Sequence, residues 1–538
     1  MTLGNSLNMK ELAVIASVTV GAAYWLKVLA DSPKKHLPPG PKRFPLIGHM
    51  LSIPRSFEHV AYANMGKELD STVVFDTLWP CAHIWRTGDI VALNVMGQII
   101  VVLNSTEAAS ELLDKRSSIY SGRAQIPAVC DKDMMDWGQG IVFMNNSDRW
   151  RRDRRMLHEA LHKGVVPRYH PSQEKQIQAL VGRLLNIPST LEAFTRELRF
   201  AFGATLLHST YGYLPTSTDD DWIVAASAAT DNIAQAAQPT RFIVNFIPTL
   251  KYLPDWFPGT GWKQTLRGWR EHKEYTTAAP YNWAKEQIRN GTATQSIVQN
   301  LLSAFPDSTP DTEDDVHIKL MSATMLGAMV LYPEVALKIQ EAADRVLGAA
   351  ERFPTIHDQE QMPYVRSTLL ELLRWQPVNP LGKIHSRDKQ LAYAFRRILA
   401  IPHAAMEEDE YKGYHIPKGS IVIGNTWTIT RDESIYPDPE RFNPDRFLDP
   451  EVHPAPAFGY RRRICPGSHF ADANLFLLIS TLMYIFDIQR AVDANGQEII
   501  SEIKMMIDST VSWKPQSFPF VLKPRSKAHM KLTMDFNA

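Results

Sequence analysis

Glu371 and Arg374 stand one helical turn apart in T-L-L-E-L-L-R-W, inside a stretch that is otherwise apolar. By itself a Glu and an Arg three residues apart is an ordinary surface pair. Set in an apolar helix, the pair is expected to be buried, and a buried pair needs a further polar partner. The phrase P-E-R-F, from Pro439 to Phe442, offers Arg441 to complete a Glu371–Arg374–Arg441 cluster. Whatever this chain folds into must therefore bring two distant segments together in its interior. A length of 538 residues with a 44% hydrophobic share is ample for such an interior. Apolar helical periods dominate, with strands near the two ends, so the fold is expected to be mainly α with small β-sheets.

A second constraint lies near the carboxyl end. Phe458 to Gly467 reads F-G-Y-R-R-R-I-C-P-G and runs directly into an apolar helical stretch. Cys465 thus precedes a helix N-terminus, where free amides and the macrodipole favour a thiolate, fit for metal ligation or nucleophilic attack. A lone cysteine is more often just a small buried side chain. Only three cysteines occur, Cys81, Cys130 and Cys465, too few for a disulfide scaffold or a four-cysteine zinc site. Lysine plus arginine equals aspartate plus glutamate at 58 each, so no global field points to nucleic acid as a partner.

Leu12 to Ala30 forms an apolar run whose one charge is Lys27, followed by Lys34 and Lys35. Its length suits one membrane span and the basic flank suits a cytoplasmic exit, so residues 1–33 are expected to be a retained transmembrane signal-anchor. Prolines at 38, 39, 41 and 45 make residues 34–48 a stiff hinge, leaving 49–538 as the catalytic body. Strands are expected at Ile90–Val95, Ile99–Leu103 and Ile421–Asn425. Helices are expected at Glu107–Arg116, Arg149–His162, Gln173–Leu184, Trp262–Arg289, Val316–Tyr332, Pro333–Leu347, Tyr364–Trp375 and Phe470–Phe486. The aromatic and proline-rich stretch 242–262 reads either as packed core or as a second membrane contact.

Taken together, these motifs resemble the cytochrome P450 superfamily of heme-thiolate monooxygenases, in its microsomal fungal form. The resemblance implies heme b held by Cys465 as axial thiolate, with Phe458 shielding the sulfur and Gly467 closing the ligand phrase. It makes Arg463, Trp150 and Arg154 (from W-R-R-D-R-R), and His403 (from I-P-H-A) partners of the heme propionates. Glu371, Arg374 and Arg441 become the structural cluster beneath the heme. It further implies electrons from NADPH through a flavin reductase docking on Arg151, Arg152, Arg155, Arg461 and Arg462. The setting would be the cytoplasmic face of the endoplasmic reticulum and the substrate a small lipophilic molecule. Pocket walls are expected from Gln125–Met144 and Ala234–Leu253.

The chain also departs from that pattern. The central helix, V-H-I-K-L-M-S-A-T-M-L-G-A-M-V, lacks the acid and threonine that relay protons in the family; Ser322 and Thr324 supply hydroxyls without an acid. Thr72–Gly88 and Gly382–Leu399 interrupt otherwise continuous phrases and read as retained introns, with coding sequence lost from the central helix. Arg461 occupies the place of a glycine. A heme-thiolate isomerase or dehydratase, or an impaired product of a mis-spliced gene, are the competing readings.

Overall fold

A hairpin of β-branched residues seeds the sheet. Strands β1 (Ile90–Val95) and β2 (Gln98–Leu103) pair antiparallel and are almost entirely buried. Met96 and Gly97 join them, both at positive φ, as a two-residue turn that follows the twist of the strands requires. In the computed structural model the described residues are 36–44, 47–54, 58–70, 87–188, 190–237, 241–304, 340–348, 350–375, 377, 402–490, 493, 497, 505–506, 514–515 and 520–537.

Strands β3 (Gly122–Arg123), β4 (His403–Ala404) and β7 (Ile421–Gly424) complete a five-stranded sheet of order β1-β2-β7-β4-β3. The β2–β7 pair is parallel; β7–β4 and β4–β3 are antiparallel. The register sets Arg123 opposite His403 at the sheet's edge. Further antiparallel pairs are β5 (Asp409–Tyr411) with β6 (Tyr414–Ile416), β8 (Phe486–Arg490) with β11 (Phe520–Pro524), and β9 (Met505–Met506) with β10 (Lys514–Pro515).

Among the described residues, the helices of eight residues or more are α1 (Glu58–Asp70), α2 (Asp148–Leu161), α3 (His170–Leu184), α4 (Leu191–Tyr211), α5 (Asp221–Ala236), α6 (Trp262–Arg289), α7 (Ile297–Ala304), α8 (Gln340–Leu347), α9 (Pro363–Trp375), α10 (Ser468–Ile485) and α11 (Lys527–Asn537). Side chains of Ser147, Thr190 and Asp220 accept amide hydrogens at the starts of α2, α4 and α5. From Ala473 to Ile485 helix α10 is buried on every face because it is surrounded: Leu477, Leu478 and Met483 share one core with Leu180, Leu198, Ala343 and Leu369 from α3, α4, α8 and α9.

The expected strands and the helices α2, α3, α6, α9 and α10 lie where periodicity placed them, within a few residues. Helices α1, α4, α5, α7 and α11 were not anticipated. In α5 the buried face is largely alanine and serine, which leaves almost no apolar period to read. The stretch expected as one helix from Glu107 to Arg116 is α-helical at Thr106–Ala109 and widens to π-helical turns over Ser110–Lys115.

The proline-rich hinge does not stand free where it is described. The Ala92 amide donates to the Pro39 carbonyl at 2.8 Å, and the His415 amide to the His36 carbonyl at 2.8 Å. A Cβ on Gly40 would come within 2.1 Å of the Ala92 oxygen, so only glycine lets the arm lie this close to β1. The anchor span Leu12–Ala30, Cys81, the helix Val316–Tyr332, the segment Gly382–Leu399 and Thr72–Gly88 apart from its last two residues lie outside the described residues. Among the described residues no helix is long and apolar enough to cross a membrane. In the 242–262 stretch Phe242 and Val244 are core, whereas Ile243, Tyr252 and Trp256 are exposed, so it joins core packing with an open apolar surface.

Candidate functional site

The loop from Phe458 to Gly467 closes on itself before α10 begins. The Cys465 amide donates to the Phe458 carbonyl at 2.8 Å, and the Arg463 amide to the Tyr460 carbonyl at 2.8 Å. Gly459 turns the chain at φ +85°, and Arg461 follows at φ +29°, a left-handed conformation that a side chain normally disfavours. Phe458 packs against the helical core. Burial pushes the Cys465 thiol up, against the downward pull of the Gly467 N–H and of Arg154. A metal ion bound to the sulfur would offset that burial penalty and hold it as a thiolate.

Basic side chains gather beside this loop. Arg463 is buried, its guanidinium 4.2 Å from the centre of the Trp150 ring. It donates to the carbonyls of Ser121 at 2.8 Å, Met144 at 2.7 Å and Ile141 at 3.5 Å, so three of its five N–H groups are committed and two are left. Arg154 donates to the Ile464 carbonyl. His403 is buried with Nδ1 2.7 Å from the Tyr120 carbonyl. Arg123, which sequence reasoning missed, faces His403 across the β3–β4 ladder. Its only signature is an arginine after Ser121–Gly122, indistinguishable from a surface base until the strands pair.

These groups share a dry, like-charged environment. Burial, then Arg123 and Arg154, lower Arg463 to about 8; burial and Arg154 lower Arg123 to about 10. Burial and Arg123 bring His403 down to about 3, with Arg463 adding to the effect and the Tyr120 carbonyl opposing it. Arg154 is lowered by burial and raised by Cys465. Such a set is costly unless an anion arrives. A soft thiol beside buried and partly buried arginines that repel one another suits a metal-bearing ligand with carboxylate arms, and heme with its two propionates is such a ligand. Cys465 would ligate the iron, while Arg123, Arg154, Arg463 and His403 with Trp150 would hold the carboxylates.

The Glu371 cluster forms as a separate buried network. Arg374 meets both Glu371 oxygens, Nε at 2.7 Å and Nη2 at 2.9 Å, and both side chains are fully buried. The third member is Arg446, not Arg441: Arg446 Nε sits 3.1 Å from Glu371 Oε2, and the Asn443 amide donates to Oε1 at 2.7 Å. Arg441 is exposed. The turn at Pro444–Leu448 points the later arginine inward, where it also donates to the carbonyls of Pro437 and Asp438.

A cavity of about 450 Å³ is lined by Arg123 together with Gln125, Ile126, Ala237, Asn245, Phe246 and Ala404 among others. Both expected wall segments contribute, and the sheet supplies the remaining side. The two segments are tied together: Lys251 pairs with Asp131 at 2.7 Å, and the Ala128 amide donates to Asn245 Oδ1 at 3.0 Å; Lys273 of α6 adds a pair with Asp136 at 3.0 Å. Arg151, Arg155, Arg461 and Arg462 are exposed, with Arg152 half-buried. Ser322 and Thr324 lie outside the described residues.

This fold and ligand loop define a heme-thiolate enzyme. The family model Cytochrome P450 matches residues 38–190, 321–392 and 395–510. Cytochrome P450 monooxygenase COX2 of Coprinopsis cinerea is 33% identical over 98% of this chain and 97% of its own length. Cytochrome P450 monooxygenase 98 of Postia placenta is 32% identical over 97% of this chain and 96% of its own. Cytochrome P450 monooxygenase ple1 of Rhodocybe pseudopiperita is 32% identical over 96% and 95%. The chain belongs to the cytochrome P450 family of monooxygenases.

Proposed function

We propose that this protein inserts one oxygen atom of dioxygen into a small lipophilic molecule, in natural-product or xenobiotic oxidation, with electrons from NADPH delivered by a flavin reductase. The observation that carries this reading is Cys465 at the head of α10 beside the buried Arg463 and His403 and the partly buried Arg123 and Arg154. Heme b, once bound, supplies the oxygen chemistry, and the thiolate tunes it. The chain's own residues do the rest. The basic set orients the carboxylate arms, Trp150 braces Arg463, and the apolar part of the cavity wall takes the substrate out of water. The exposed arginines at 151, 155, 461 and 462 give an acidic reductase a surface to meet. The apolar run Leu12–Ala30 and the exposed Ile243, Tyr252 and Trp256 support attachment to the cytoplasmic face of the endoplasmic reticulum.

The test is spectroscopic and kinetic. Reduced protein with carbon monoxide should show the red-shifted Soret band of thiolate-ligated iron, and Cys465→Ala should lose it; an unchanged band refutes the ligand assignment. The central helix sequence, with no acid beside Ser322 or Thr324, favours a second reading as a heme-thiolate isomerase or dehydratase acting on peroxides. Coupled NADPH and dioxygen consumption supports the first reading; rearrangement of a peroxide without NADPH supports the second.

A further inference from the structure

We propose that His403 takes up a proton from solvent when the cofactor binds, so that heme loading is coupled to protonation of this one imidazole. The inference rests on the heme reading above and on one hydrogen bond. His403 Nδ1 lies 2.7 Å from the Tyr120 carbonyl oxygen. A carbonyl only accepts, so Nδ1 must carry hydrogen, and a neutral imidazole has just one N–H. Nε2 is then a bare acceptor. A propionate is an acceptor too, and the two cannot bond unless Nε2 gains a proton.

The surroundings say when that happens. The charged and titratable groups facing His403 are Arg123 from β3, Arg463 from the ligand loop and the ring of Tyr460; Tyr120 meets it through the backbone carbonyl, its own hydroxyl donating to Asp409 at 2.9 Å. Before the cofactor arrives, burial and the two arginines keep the ring neutral, with its pKa lowered to about 3. Propionates reverse the sign of the local field, and the imidazolium can donate from both nitrogens at once. His403 is in this account a positioning residue for the cofactor, and it forms no contact with the reacting atoms.

Full-length protein titrated with hemin between about pH 5 and pH 7 tests the coupling, by comparison with His403→Phe, which holds a ring but no proton. A group neutral in the free state and charged in the loaded state binds one extra proton, so relative affinity falls as pH rises. The ratio of wild-type to variant affinity should drop about tenfold per pH unit. Loss of the Cys465 proton is common to both proteins and cancels. A ratio independent of pH overturns the proposal while leaving the heme reading intact, since the carbon monoxide spectrum tests that separately. Should the variant fail to fold, nitrogen NMR of histidine-labelled wild-type protein decides. With diamagnetic gallium protoporphyrin bound, both His403 nitrogens should resonate as N–H; a pyridine-type Nε2 in the loaded state overturns the inference.

Discussion

Replacing Arg446 with leucine should destabilise the protein far more than the same change at Arg441, although the two are close in sequence and equal in charge. Glu371 is fully buried and its Oε2 is shared by Arg374 at 2.7 Å and Arg446 at 3.1 Å. Removing Arg446 leaves that oxygen with one cation and releases the carbonyls of Pro437 and Asp438 from their donor. A charged hydrogen bond lost in the interior costs about 1.5–3 kcal/mol, and breaking a buried ion pair outright about 3–5 kcal/mol. Because Arg374 still holds Glu371, the cost should sit between these, about 2–4 kcal/mol. Arg441 is exposed, and its loss should stay within about 0.5 kcal/mol. With an unfolding entropy near 2 cal/mol/K per residue, a chain of this size moves its midpoint by roughly 1 °C per kcal/mol. Heme-loaded Arg446→Leu should therefore melt about 2–4 °C below wild type, and Arg441→Leu should coincide with it. Equal shifts for the two variants, or a larger one at Arg441, would refute the assignment.

Two further outcomes follow from local geometry. Arg461→Gly should stabilise the ligand loop by about 0.5–1 kcal/mol, the relief of a left-handed residue worth about 1–2 kcal/mol less the extra chain entropy of glycine, read as a higher midpoint at unchanged heme content; a lower midpoint would sink it. Asp358 caps the turn at Ile356–Gln361 and is gripped by Arg352 at 2.6 and 2.7 Å; burial pushes its carboxyl up, but Arg352 and the Thr355 N–H and hydroxyl carry it below the ordinary range. Its contribution is present above the unfolded carboxylate pKa and is lost as pH falls through the lowered one. Asp358→Asn should thus cost about 1–2 kcal/mol at pH 7 and nothing in strong acid, and a deficit that persists in acid would contradict this.

What could be read in the chain was what is local. The Cys465 phrase and the Glu371–Arg374 turn are written within a few residues each, and the structure keeps both as written. Arg441 was the wrong third partner because two arginines flank one proline turn, and only the distant Glu371 carboxylate decides which is drawn in. Arg123 was invisible for the same reason. Its strand is two residues long and acquires meaning by pairing with a strand about half the chain away. Helix α5 escaped because alanine buries well but marks a period poorly.

The crowd of buried bases around His403 and Arg463 has a consequence for the cell. Groups that repel one another in a dry site make the empty protein the weaker one. A ligand that binds only the folded state stabilises it by mass action, here by neutralising that repulsion as well. The steady amount of this protein should then follow the supply of heme: when heme is scarce, unfilled chains open more often and are cleared by proteolysis. Control of abundance would then be built into the cradle itself.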